Sequence, residues 1–245
     1  GGGLAAGFWL EGNLGNDVGT AGAGSLGSAS SQLFNRRSTV SLSGRFGEVR
    51  LGRDVVPTFW NDTVFDPFVT NGVGTNAIFS GGGGTVLGSL LGLNNGNYVR
   101  ANNAVSYFLP AELGGFYGQV MYALPERTYV DPAVNTPAGV TTDGEYRGGR
   151  FGYANGPLDV AAAYGESTTL RNFQGGGRVA TVIGNIGAWW DFGFMKLLGE
   201  YNMTKIKSSL TGIPNGDLKS NGYLIGATFT FGPGVIRTSY SYTDF

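Results

Sequence analysis

Bulky apolar residues alternate with small or polar ones along most of this chain, and a period of two marks a strand with unlike faces. In Phe116-Tyr117-Gly118-Gln119-Val120-Met121-Tyr122-Ala123-Leu124, one face carries Phe116, Val120, Tyr122 and Leu124 with Gly118. The other carries Tyr117, Gln119, Met121 and Ala123. Leu158, Val160, Ala162 and Tyr164 alternate likewise with Asp159, Ala161, Ala163 and Gly165. Tyr223, Ile225, Ala227 and Phe229 alternate with Leu224, Gly226, Thr228 and Thr230. Helical periodicity is nearly absent. The pattern predicts eleven strands, near 4–13, 36–46, 48–56, 98–109, 115–124, 145–154, 157–166, 178–190, 194–206, 219–231 and 235–243.

The connections between these strands alternate in length. Tight turns at Phe46-Gly47-Glu48, Pro110 to Gly114, Asn155-Gly156-Pro157, Asp191-Phe192-Gly193 and Gly232-Pro233-Gly234 carry the Gly and Pro that turns need. Between them lie the longer stretches 14–35, 57–97, 125–144, 167–177 and 207–218. In an up-and-down antiparallel sheet this places every tight turn at one end and every long loop at the other. That asymmetry belongs to outer-membrane β-barrels, which have short turns on one side and long loops on the other. A soluble sandwich mixes loop lengths at both ends through Greek-key connections. The expected fold is therefore all-β, an antiparallel transmembrane barrel with an apolar face toward lipid and a small, polar face toward a wet lumen. Any helix should be short and lie within 57–97.

Composition narrows the function. The 245 residues include no His and no Cys, 45 Gly, and 13% charged residues at a formal net charge of −1. Without His there is no imidazole metal site and no Ser-His-Asp triad. Without Cys there is no thiolate chemistry or disulfide framework. The near-zero charge argues against a nucleic-acid partner held by a bulk positive field. No stretch reaches the ~18 apolar residues of a membrane helix, and the first residues do not read as the basic-then-apolar pattern of a signal peptide. The opening Gly1-Gly2-Gly3 reads as the tail of a turn in a mature or trimmed product. The sequence calls for no cofactor, no metal and no enzymatic activity. Gly81 to Gly84 and Gly72-Val73-Gly74 are flexible loop, because no Gly-Lys-Ser/Thr and no helix pattern follow.

Eleven strands is an odd number, whereas single-chain bacterial barrels close with an even one. Phe245 is terminal but out of phase with Tyr240 and Tyr242, so it is not the usual in-phase terminal Phe. The expectation is a piece of a larger barrel. The ordered segments then identify its kind. STVSLSGRFGEVRLGRDVVPTFW resembles the fourth and fifth strands of the general porins of Gram-negative bacteria, of the beta-proteobacterial type. Asp66-Pro67-Phe68 resembles the Asp-Pro-Phe of that family's pore-folding loop. NNAVSYFLPAELGGFYGQVMYAL, RFGYANGPLDVAAAYGES and GAWWDFGFMKLLGEY resemble the strand-turn-strand units that follow. The resemblance implies a sixteen-stranded homotrimeric barrel of which about strands 3–13 are present. It further implies that 57–97 is the loop folded inward as a constriction. Its length is too great for an ordinary connection. Phe59, Trp60, Phe65, Phe68 and Leu90 make it too apolar to be simply solvated.

Twelve Arg stand against four Lys, and Arg suits a wall that must present fixed cations. Arg37, Arg45, Arg50, Arg100, Arg150, Arg237 and Lys196 fall on the polar phase of their strands and are candidate pore-lining residues. Of these, Arg50 and Arg100 flank the long loop and are assigned to the constriction. Arg53 shares the outward phase of Val49 and Leu51, but the resemblance makes it a third constriction arginine. A bulge at Gly52 reconciles the two. Asp54, Asp62 and Asp66 are the acidic counterparts, an arrangement that sets a transverse field across a pore. The plainer readings are solvated strand ends for the arginines and turn chemistry for Asp62 and Asp66. Glu11 and Glu200 occupy polar phases and pair with wall arginines on this reading. Trp9, Trp189, Trp190, Tyr98, Tyr107, Tyr122, Tyr164 and Tyr201 read as interface-girdle aromatics. The expected function is passive diffusion of small hydrophilic solutes and anions through an outer-membrane channel surrounded by lipid. A substrate-selective channel with an aromatic track is the alternative, ahead of a soluble sandwich that binds or adheres.

Overall fold

The computed structural model describes residues 3–14, 33–71, 97–130, 140–173, 177–209 and 218–244. In chain order the strands are β1 (Ala5–Glu11), β2 (Arg37–Gly44), β3 (Gly47–Val55), β4 (Arg100–Phe108) and β5 (Phe116–Ala123). They continue as β6 (Arg127–Val130), β7 (Val140–Asp143), β8 (Tyr146–Asn155), β9 (Leu158–Phe173) and β10 (Gly177–Asp191). The last are β11 (Met195–Ser208), β12 (Leu218–Phe231) and β13 (Gly234–Asp244), and one helix, α1 (Pro57–Val64), follows β3. Strands β6 and β7 pair with each other; the remaining eleven form one sheet in chain order, every neighbouring pair antiparallel. All eleven expected strands are present in the expected order.

The register confirms two unlike faces. One cross-strand row runs Phe8, Val40, Leu51, Val105, Tyr122, and all five are solvent-exposed apolar side chains. The neighbouring row on the opposite face runs Gly7, Ser41, Arg50, Ser106, Met121, Gly148, Gly165. A water-soluble sheet buries its apolar phase; here that phase is the exposed one, and the buried residues lie on the polar face under α1.

Helix α1 begins at Pro57, whose missing N–H costs nothing at a first helical position. It lies across the polar face, where two glycines leave room for the turn that follows it. A Cβ on Gly187 would meet the Phe65 ring at 2.3 Å, and one on Gly226 would meet Pro67 Cγ at 2.4 Å. Val56, Ala101, Ala104, Met121, Ala123 and Tyr146 close a small apolar cluster there, with Phe59 packed against it. Residues 72–96, the rest of the expected inward loop, lie outside the described residues.

The structure adds pairing that alternation did not reveal. Strands β9 and β10 continue through Thr168 opposite Ala180 and Leu170 opposite Val179, well past the expected end at 166. Alternation reports which face is apolar, whereas the backbone ladder continues where both faces are polar. The β6–β7 ladder, inside what was read as loop 125–144, was missed for the same reason. Three of the expected girdle aromatics are reassigned. Tyr98 is buried against Phe59, Trp9 lies under Arg37, and Trp189 lies under Lys196, all on the polar side. Phase, rather than nearness to a strand end, decides which way a ring points. Tyr107, Tyr122, Tyr164, Trp190 and Tyr201 keep the outward phase, and the last four are exposed.

Candidate functional site

A cavity of about 540 Å³ opens on the polar face beside α1. Five arginines line it, Arg36, Arg37, Arg50, Arg100 and Arg150, against two carboxylates, Glu11 and Asp54. Strand order brings them together: Glu11 ends β1, Arg37 begins β2, Arg50 and Asp54 stand four residues apart on β3, and Arg150 lies on β8. Trp9, Trp60, Phe108 and Tyr117 complete much of the wall.

Asp54 is shared. Arg50 Nη1 donates to Asp54 Oδ2 at 2.6 Å and Arg37 Nη2 donates to the same oxygen at 3.2 Å. Arg50 also reaches Glu48 at 2.9 Å, and Arg36 pairs with Glu11. Aromatic rings support three of the cations: Arg37 over Trp9 at 4.8 Å, Arg50 over Phe108 at 4.2 Å and Arg150 over Tyr117 at 4.7 Å. Each ring lends partial negative charge and restrains a long side chain.

Arg150 is held by neutral groups. Its Nε donates to Asn61 Oδ1 at 2.6 Å and its Nη2 to Tyr117 Oη at 3.0 Å, while the Tyr117 hydroxyl donates a hydrogen bond to Asp159. Asn61 is oriented by its surroundings, since its amide nitrogen donates to Ala161 O at 3.3 Å and to Asn185 Oδ1 at 3.0 Å. The loop helix thus fixes a wall arginine without neutralising it. Arg100 forms no ion pair among the described residues, and its Nε is buried without a hydrogen-bond partner.

Five sequence-assigned residues meet in this cavity: Arg37, Arg50, Asp54, Arg100 and Arg150. Arg53 does not line it. The irregularity expected at Gly52 exists, with Gly52 at φ 122°. Its extra residue, however, sits on β4: Gly52 pairs with Ala104, and Asp54 already with Ala101. The phase of β3 is therefore unbroken, and Arg53 turns to Asn35 O at 2.6 Å and to Asn102.

Asp62 and Asp66 do not line the cavity either. Asp66 takes the plainer role: Oδ1 accepts from Phe68 N at 2.8 Å and Oδ2 from Thr70 N at 3.1 Å, closing a turn. Asp62 is buried on the polar face, accepting from Asn185, from Asn202 at 3.3 Å and from Tyr98 Oη at 3.4 Å. Burial pushes its carboxyl above the usual range, against these hydrogen bonds and its contact with Glu200. Glu200 faces Asp62 rather than a wall arginine. Arg45 sits exposed in the β2–β3 turn, Arg237 exposed on β13, and Lys196 over the Trp189 ring at 3.9 Å. Arg36 was missed: the expected strand 36–46 put it in the outward phase of Val40 and Leu42, whereas β2 begins only at Arg37, so that phase does not govern Arg36 and it reaches the cavity.

A family profile described as Gram-negative porin matches residues 1–245. The outer membrane porin protein 32 of Delftia acidovorans is 39% identical over 247 residues, covering 100% of this chain and 62% of its own length. A solved anion-selective porin from Comamonas acidovorans superposes with a TM-score of 0.76 at 35% identity, over 100% of this chain and 65% of that one. Salmonella typhi OmpF, solved with daunomycin, matches with a TM-score of 0.52 at 14% identity, over 85% of this chain and 59% of that one, and shows the fold alone. The chain thus spans less than two thirds of the two more similar relatives.

Proposed function

From the premise that the chain belongs to the Gram-negative porin family, we propose that the full-length protein is an outer-membrane channel for passive diffusion of small hydrophilic solutes, preferring anions. The proposal includes assembly as a homotrimer, which the family resemblance implies, and a role as a channel rather than a catalyst. The observation that carries the anion preference is the cavity wall of five arginines and two carboxylates. Arg36, Arg37 and Arg50 pair with Glu11, Asp54 and Glu48, whereas Arg100 makes no ion pair among the described residues and Arg150 is held by uncharged Asn61 and Tyr117, so these two cations set the local excess. Exposed charges beyond about 8–10 Å are screened at physiological salt, so these local charges outweigh the near-zero total. The description of the Comamonas relative as anion-selective agrees with this reading.

The test is the reversal potential across a salt gradient, with the full-length protein in planar bilayers. Anion preference is expected, falling as salt is raised from about 0.1 M to about 1 M because the screening length shrinks to ~3 Å. Arg100→Gln and Arg150→Gln should each lower the anion-to-cation permeability ratio by roughly three- to tenfold. A cation-preferring wild type, or a ratio untouched by both substitutions, refutes the assignment.

A further inference from the structure

We infer that the arginine cavity is a site for planar aromatic carboxylates, with the carboxylate on Arg100 and the ring against Trp60. This rests on the channel reading above and names a solute class for the same site. Two observations meet here. The first is Arg100. Arg36, Arg37 and Arg50 are spent on Glu11, Asp54 and Glu48, and Arg150 on Asn61 and Tyr117. Arg100 shares the cavity with them, makes no ion pair among the described residues, and has a buried Nε with no acceptor. A guanidinium presents a planar fork of donors that matches the two oxygens of a carboxylate.

The second observation is Trp60. Its neighbours on α1 are turned into the protein, with Thr58, Asn61 and Asp62 all buried. Trp60 instead faces the cavity and keeps 44% of its surface exposed. The rings of Trp9, Phe108 and Tyr117 each carry an arginine; among the described residues no cation stands over the Trp60 ring. An uncovered indole and an unsatisfied guanidinium on the wall of one cavity complement an anion that has one flat apolar end. Chloride or acetate gains only the Arg100 contact. A benzoate-like anion gains both, because a flat ring stacks in offset or edge-on geometry that a saturated ring of similar size cannot adopt.

The experiment uses the full-length protein in planar bilayers, with benzoate, cyclohexanecarboxylate and acetate as probes. Each is read as the concentration that halves the chloride current. Benzoate should act at roughly two- to tenfold lower concentration than cyclohexanecarboxylate. Trp60→Leu, which keeps apolar bulk without a ring, should erase that difference, and Trp60→Phe should keep most of it. Arg100→Gln should weaken all three probes. Equal action of the two ring acids on the wild type overturns the inference, as does a difference that survives Trp60→Leu. The chloride reversal potential in the same membranes separates the two levels. A cation-preferring wild type removes the channel reading and this site with it; an anion-preferring one that treats the ring acids alike removes this site only.

Discussion

Asp62 and Glu200 form the least expected contact of single residues. The Glu200 carboxyl lies against Asp62, both of its oxygens are buried, and neither accepts an N–H. Among the described residues no cation stands beside Asp62 to offset its burial. The Asp62 carboxyl is accordingly pushed up by burial. A raised acid titrates at lower pH in the unfolded chain than in the folded one. The stability it contributes is therefore complete below the ordinary carboxylate range and is lost as pH rises through the folded value. Hydrogen-exchange protection of the α1 amides, corrected for intrinsic rates, should fall from mildly acidic to mildly alkaline pH. In Asp62→Asn, whose amide can donate to Glu200, the profile should flatten; parallel profiles in the two proteins would sink this account.

At the scale of the element, α1 is seated by absences as much as by contacts. Phe65 occupies the space where a side chain on Gly187 would stand, and Pro67 the space above Gly226. Gly187→Val should therefore lift the helix, at about 1–3 kcal/mol of overpacking, and expose residues 57–71 to protease while leaving the strands folded. Gly184→Ala is the control. It lies on the apolar face of the same strand, where a Cβ meets nothing closer than Tyr164 at 3.8 Å. Equal protease sensitivity in the two variants would show that the glycine bed does not position α1. The seat was not legible in the sequence, because Asn61 meets Asn185 across 124 residues and no local pattern links them. That a short helix would fall in 57–97 was legible, from the length and apolar content of that stretch.

For the whole molecule, an exposed apolar phase eleven strands wide demands lipid or protein to cover it. The homotrimer proposed above predicts that the unheated full-length protein, cross-linked in mild detergent, runs at three times its heated mass. Migration as a monomer at every detergent level would rule it out. The sheet runs from β1 to β13 without pairing its two ends, as the odd strand count led one to expect.

Period-two alternation determined the strands, their order and their two faces, because side-chain direction in a strand follows from local geometry alone. Loop asymmetry determined that the sheet is up-and-down. The same phase rule put Arg37, Arg50 and Arg150 on the polar face; Arg100 lies beyond the extra residue of β4, opposite Val55, so unbroken phase does not account for its place in the cavity, and Arg53, expected at the constriction, does not line it. Tertiary structure alone decided which of those cations remain uncompensated. Asp54 closes on two arginines, Asn61 crosses from the loop to Arg150, and Asp62 and Asp66 turn inward instead of toward the cavity. Each of these depends on where α1 comes to rest on the sheet, and that is set by the sum of contacts and vacant glycine positions on β8 to β12 rather than by any segment of the sequence.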